Sequence, residues 1–193
     1  MKRLISNALG FATTFIALSG LAMAQNQSTG MKLMAGNTEL VSSLDTKFAT
    51  QGQAVTVKLT DSIKTPEGVE LPRGTELLGR VDGVKASDDK SPSTLVLTFN
   101  QARLKNDKTV AVKATLVNVA SADGVNEMPG PVGPDDTFDE APGAIRNVAL
   151  HSAVKDNTSG TLTDAHKNIR LAEGTQFLVA VGVEPSQQSA AAE

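Results

Sequence analysis

The chain has 193 residues, with 18 Lys and Arg against 21 Asp and Glu, and no Cys, Trp or Tyr. A weakly acidic chain without clustered Lys or Arg is a poor match for nucleic acid or for anionic membrane surfaces. With four Phe after the first 24 residues, it is also short of the aromatic faces on which bases or sugars stack.

The N-terminus reads as an export signal. Lys2 and Arg3 supply the positive start, Ala8 to Leu21 the apolar stretch, and Ala22-Met23-Ala24 the small-x-small cleavage site. Cleavage is expected between Ala24 and Gln25. The apolar run falls short of the ~20 residues that span a bilayer, and Ser19-Gly20 interrupt it. No Cys stands beside the cleavage site to take a lipid. The expectation is a bacterial protein released in the periplasm or outside the cell, without stable membrane insertion. Removing residues 1–24 from 193 leaves 169, and removing Lys2 and Arg3 leaves 16 basic against 21 acidic side chains, a net charge of −5. A chain of that size hides about 70% of its surface on folding, enough for one ordinary core. Without Cys it has no disulfides, so packing and hydrogen bonds carry its stability.

Gln25 to Asn37 is polar and aperiodic and reads as a flexible leader, placing the folded domain at 38–183. Within it the dominant signal is alternation. Val55, Val57 and Leu59 take one face, as do Leu95, Leu97 and Phe99, then Val110, Val112, Ala114 and Leu116, and last Phe177, Val179, Val181 and Val183. Such runs predict half-buried antiparallel strands. Asn106-Asp107 predicts a hairpin turn, Asp82-Gly83 a strand break, and Ala86 to Pro92 a charged loop. Ser121 to Gly143 carries Pro129, Pro131, Pro134 and Pro142 with several Gly, and is read as a loop without a regular ladder. Ala144, Ile145, Val148, Ala149, Ser152 and Ala153 fit one helical face, which predicts a short amphipathic helix over 144–154. Residues 184–193 read as a disordered tail. The fold class expected is all-β, mostly antiparallel, a single barrel or compact sandwich with one short helix.

Leu71-Pro72-Arg73-Gly74-Thr75-Glu76-Leu77-Leu78-Gly79-Arg80-Val81 echoes Leu171-Ala172-Glu173-Gly174-Thr175-Gln176-Phe177-Leu178-Val179-Ala180-Val181. Two readings stand: a repeated unit, in which Leu plugs the core, Gly takes a positive φ and Thr opens a strand, or the common grammar of β-turns. Either way the motif contains no nucleophile, proton carrier or metal ligand set.

Leu44-Asp45-Thr46-Lys47, Gly52-Gln53-Ala54-Val55, Leu71-Pro72-Arg73-Gly74-Thr75, Leu78-Gly79-Arg80-Val81, Leu95-Val96-Leu97-Thr98-Phe99 and Lys167-Asn168-Ile169-Arg170-Leu171 with Gly174-Thr175 follow one another in a familiar order. Together they resemble an uncharacterised family of exported bacterial β-barrel proteins. More distantly they are similar to the C-terminal barrel of TrbI-like scaffolds of conjugative (type IV) secretion channels. The resemblance covers about residues 38–183. It implies a barrel or compact sandwich and brings no catalytic residue. Such scaffolds also carry an inner-membrane helix, a long Pro-rich linker and an apolar helical hairpin. Here the leader is short, and the 144–154 segment carries Arg146, Asn147 and His151, so no pore is implied.

The candidate chemistry is sparse. Asp135, Asp136, Asp139 and Glu140 could surround Ca²⁺, but their spacing lacks the regular offsets and closing Glu of a calcium loop, which favours a solvated acidic loop. A zinc site would need both His151 and His166 with a carboxylate such as Asp164. Gly-x-Ser-x-Gly, a Cys nucleophile and a phosphate-cradling Gly loop are all missing. The functional expectation is an exported, non-enzymatic binding or assembly module without cofactors, acting on an envelope or extracellular protein through a loop or an exposed strand edge. The alternatives are a calcium- or zinc-binding protein or small enzyme built on the acidic loop and the His residues, and an accessory component of a conjugative secretion channel.

Overall fold

The computed structural model describes residues 31–89, 91–120, 130–140, 145 and 147–184. The strands in chain order are β1 (Leu33–Leu40), β2 (Leu44–Asp45), β3 (Ala54–Leu59), β4 (Ile63–Lys64), β5 (Glu70–Leu71), β6 (Glu76–Lys85), β7 (Ser93–Arg103), β8 (Thr109–Ala120), β9 (Pro131–Val132), β10 (Thr137–Glu140), β11 (Val148–Ala153), β12 (Gly160–Asp164), β13 (Arg170–Leu171) and β14 (Gln176–Val183). Six of them close an antiparallel barrel in the order β7-β6-β3-β1-β14-β8, with β8 returning to β7. The all-β barrel expectation therefore holds.

The closure is partial, and that shapes the rest of the molecule. The β7–β8 hairpin turns at Asn106-Asp107, where Asp107 has φ 60° and its N–H donates to the Leu104 carbonyl at 2.9 Å. The two strands pair only over Gln101–Arg103 and Thr109–Ala111, then diverge. The other part of β7 pairs instead with β12, from Ser93↔Asp164 to Leu97↔Gly160, and β11 and β10 continue outward as a three-stranded arm. The arm lies against β8. The Leu116 N–H donates to the Ser159 carbonyl at 2.8 Å, the Ser152 hydroxyl donates to the Leu116 carbonyl, and the Val119 N–H donates to Glu140 Oε2 at 3.2 Å.

The echo of Leu71–Val81 with Leu171–Val181 is a structural repeat. Gly74 (φ 85°) and Gly174 (φ 80°) take the left-handed conformation that glycine adopts without steric cost. Gly74 N–H donates to Leu59 O, and Leu59 N–H to Thr75 O; Gly174 N–H donates to Leu40 O, and Leu40 N–H to Thr175 O. All four distances are 2.8 Å. Below each turn lies a short ribbon, β4–β5 with Ile63↔Leu71 in one half and β2–β13 with Leu44↔Leu171 in the other. The register of both long strands shifts at the same place, between Leu78 and Gly79 and between Leu178 and Val179. A pseudo-two-fold axis passes between β1 and β3, beside the Glu39↔Lys58 pair. It relates β1, β14 and β8 to β3, β6 and β7. Among the described residues the arm has no counterpart in the other half.

Two apolar clusters follow from this layout. The larger joins Leu40, Leu59, Leu77, Leu97, Phe99, Leu116 and Phe177, all almost fully buried, with Val148, Leu150 and Leu162 of the arm. The second lies on the other face of β1, β14 and β8, where Leu33, Ala35, Leu178, Ala180 and Val117 are covered by Val132 and Val154, with Phe138 against them. Strand β14 is thus buried on both faces, unlike the half-buried strand that its alternation predicts.

Several expectations need correction. Where a helix is expected over 144–154, Val148–Ala153 form strand β11, and the described residues contain no helix. Val148, Leu150 and Ser152 are buried and His151 is exposed, a period of two set by pairing with β10 and β12. β1 begins at Leu33, five residues before the expected boundary at 38, because Leu33 and Ala35 plug the second cluster. Two strands, β9 and β10, lie within the segment 121–143 read as a loop. Pro131 is tolerated there because β9 pairs with β1 over only two residues. Asp82-Gly83 does not end β6 but makes a bulge, with the register shifting between Val81 and Gly83. Phe48 is 73% exposed. The cleavage site Ala24–Gln25 and the tail after Glu184 lie outside the described residues.

Candidate functional site

The arm brings together part of the chemistry noted in the sequence. Antiparallel register puts Asp139 of β10 directly opposite His151 of β11, and His151 opposite Thr161 of β12. Carboxylate, imidazole and hydroxyl therefore stand in one row on the outer face of the arm, and His151 Nδ1 lies 2.5 Å from Asp139 Oδ1. The side chains of His151 and Asp139 are 63% and 70% exposed, so water surrounds both. A base aligned by a carboxylate can activate a nucleophile, but such chemistry relies on an enclosed, preorganised setting. This row has none. Its geometry is that of a cross-strand surface pair.

The four acidic residues do not converge. Asp136 Oδ2 accepts the Gly133 N–H at 2.8 Å and closes its own turn, while the Asp136 carbonyl accepts the Val154 N–H. Glu140 reaches inward to Val119 N–H, Asp139 faces His151, and Asp135 sits with Lys113, Lys155 and Glu184 on the rim of a cleft floored by Met31 and Val154. Asp164, which would complete a zinc site, is buried, and its Oδ1 accepts the N–H groups of His166 and Lys167 at 2.8 and 2.9 Å. That places His166 in a turn after β12, while His151 is mid-strand on β11. Among the described residues no three His, Asp or Glu side chains come close enough to hold one ion.

The feature that sequence reading located only in general terms is the sheet edge. Among the described residues β10 ladders with β11 alone, leaving its outer backbone groups without a strand partner. Thr137 and Asp139 are exposed there, and Phe138 and Glu140 turn inward toward β8. The edge of β8 is different: Ser152, Ser159 and Glu140 occupy its backbone groups. Such an edge can accept an extended partner through backbone hydrogen bonds, with side-chain positions of alternate residues selecting the sequence. The signal for β10 was hidden among the prolines and glycines of 121–143. Its sequence, Thr-Phe-Asp-Glu, has a single apolar residue and gives no alternation to read.

No described helix is long and apolar enough to cross a membrane. Comparison with protein-family models and with curated proteins gives no match to this chain.

Proposed function

We propose that the chain is an exported, non-enzymatic binding or assembly module that pairs with an extended segment of an envelope or extracellular protein along β10. The observation that carries this reading is the asymmetry between the two edges: β8 is closed by side chains of the arm, and among the described residues β10 ends the sheet with no strand on its outer side. The residues around β10 add selectivity. Asp139, exposed on β10 itself, biases this edge toward a partner strand with a basic residue opposite it. The export signal supplies the address, periplasm or cell exterior.

The test is capture from an envelope extract by the mature chain and by Asp139→Pro, followed by mass spectrometry. Proline removes an N–H and bars a new ladder partner, and at an edge it costs the native fold little. The expected result is a protein retained by the mature chain and lost with Asp139→Pro, while the melting temperature changes by no more than a few degrees. Equal capture by both chains overturns the reading. Stabilisation by Ca²⁺ or Zn²⁺ of more than a few degrees would favour an ion-binding role, because an ion that binds only the native state raises its stability. Recovery of conjugative-channel subunits would place the module with that apparatus.

A further inference from the structure

The two halves of the barrel also differ below their matching turns. In one half the ribbon β4–β5 is sealed by a tight turn, with Thr65 N–H donating to Val69 O and Gly68 N–H to Thr65 O. In the other half the equivalent ribbon, β2–β13, joins segments far apart in sequence, and its end stays open. Thr46 N–H donates to Ile169 O at 3.0 Å, the counterpart of the Thr65–Val69 bond. Where the first half has its turn, this half has a cavity of about 420 Å³ lined by Ser87, Asp89, His166, Lys167, Asn168 and Arg170.

The walls of this cavity are held by a polar network. The Thr46 hydroxyl accepts the Ile169 N–H at 3.0 Å and donates to Asn168 Oδ1 at 3.2 Å, which also accepts the Ser87 N–H at 2.8 Å. The Ser87 hydroxyl donates to the carbonyls of Ser91 and His166, and the Ser93 hydroxyl to that of Lys167. In the sealed half, the corresponding Thr65 hydroxyl is buried without a partner. The network belongs to the open half alone.

Its consequence is a donor with a fixed direction. A backbone N–H can only donate, so the group that Ser87 meets on Asn168 must be the amide oxygen. The Asn168 amide nitrogen is thereby turned away from Ser87 and Thr46, and no described acceptor takes its protons. Around it stand Lys167, Arg170 and His166, with one acid, Asp89, in the lining; Arg170 also reaches Asp45 at 3.0 Å. With Asp45 counted beside Asp89, two cations meet two acids, a local charge near zero in a chain of net charge −3, and Lys167 is the cation that no described acid pairs. The geometry points to an oxyanion-binding pocket here, in which the Asn168 amide and the Lys167 and Arg170 cations take a phosphate or carboxylate group of a small soluble molecule. The inference is independent of pairing at β10.

The experiment is an amide-resolved NMR titration of the ¹⁵N-labelled mature chain with inorganic phosphate and with acetate, each against chloride at matched ionic strength. Saturable shifts confined to residues around 87 and 166–170 with either probe are expected, and the tighter probe identifies the class. Shifts that never saturate with both probes, or that chloride reproduces, overturn the proposal. Asn168→Asp separates structure from binding: it keeps an acceptor for Ser87 N–H and Thr46 hydroxyl but replaces the donor with negative charge. It is expected to weaken binding at least tenfold, and unchanged affinity overturns the assignment. If Asn168→Asp does not fold, the exposed Lys167→Gln takes its place. A several-fold loss is then expected, and no loss refutes the pocket.

Discussion

At Gly79 the barrel wall is tighter than the turn chemistry around it suggests. A Cβ added there would fall on the carbonyl oxygen of Thr98 and on the ring of Phe99. Both belong to the strand that Gly79 pairs with, at the shift in register, so neither can withdraw without disturbing the ladder. Gly79→Ala is expected to cost about 3 kcal/mol, the upper part of the range for overpacking a closed core. Gly83, on the same strand, meets Val96 at 3.4 Å or more, ordinary contact, so Gly83→Ala should change stability by less than about 1 kcal/mol. Urea unfolding of the two variants checks the contrast, and equal effects would refute it. Little of this is legible in the sequence, because the echo aligns Gly79 with Val179 and marks neither as crowded. The need for glycine comes from the Phe99 ring across the ladder. Gly74 and Gly174 are the opposite case, since a turn between a core Leu and a strand-opening Thr asks for a positive φ wherever it occurs.

Among the elements, β11 shows how a short segment satisfies two periods at once. Ile145, Val148, Ala149, Ser152 and Ala153 fit a helical face, while Val148, Leu150 and Ser152 fit one face of a strand. Over six residues the patterns cannot be separated, and the choice falls to the neighbours. Here β12 and β10 offer ladders on both sides, and β8 offers a carbonyl to Ser152. That contact has a measurable weight. Ser152 is 2% exposed, so Ser152→Ala withdraws a donor from the Leu116 carbonyl in a dry setting, at an expected cost of about 1–2 kcal/mol. Chemical denaturation measures it, and a neutral substitution would mean that the side-chain bond does not hold the arm to β8. β14 was more legible than its alternation suggested. Phe177-Leu178-Val179-Ala180-Val181 is unbroken by any polar residue, which is the signature of a strand covered on both faces. What covers the second face, Val132 and Val154 with Phe138, is hidden in the sequence because it comes from a proline-rich segment and from the residue that follows β11.

For the whole molecule, the question is whether the arm is an appendage or part of the barrel's cooperative unit. Its asymmetry argues for an appendage, since the pseudo-two-fold axis leaves it without a counterpart. Its packing argues otherwise. Val148, Leu150 and Leu162 sit in the same cluster as Leu40, Leu59 and Leu116, so separating the arm would expose apolar surface from both halves of the barrel. It would also strip β7 of the second of its two neighbours over Ser93–Leu97 and leave an open edge on β8. Losses on that scale exceed what a locally opening segment ordinarily tolerates, and one transition should therefore unfold barrel and arm together. The absence of Trp makes the test direct, because an introduced indole is the sole reporter of its surroundings. His151→Trp places one on the solvent face of the arm, and Phe48→Trp places one on the loop after β2, both at exposed positions. Thermal midpoints from the two variants should each agree with far-ultraviolet circular dichroism on the same sample. An arm signal that melts about 5 °C or more before the dichroism would show that the arm opens on its own, and the shared cluster would then be too weak to bind it to the barrel.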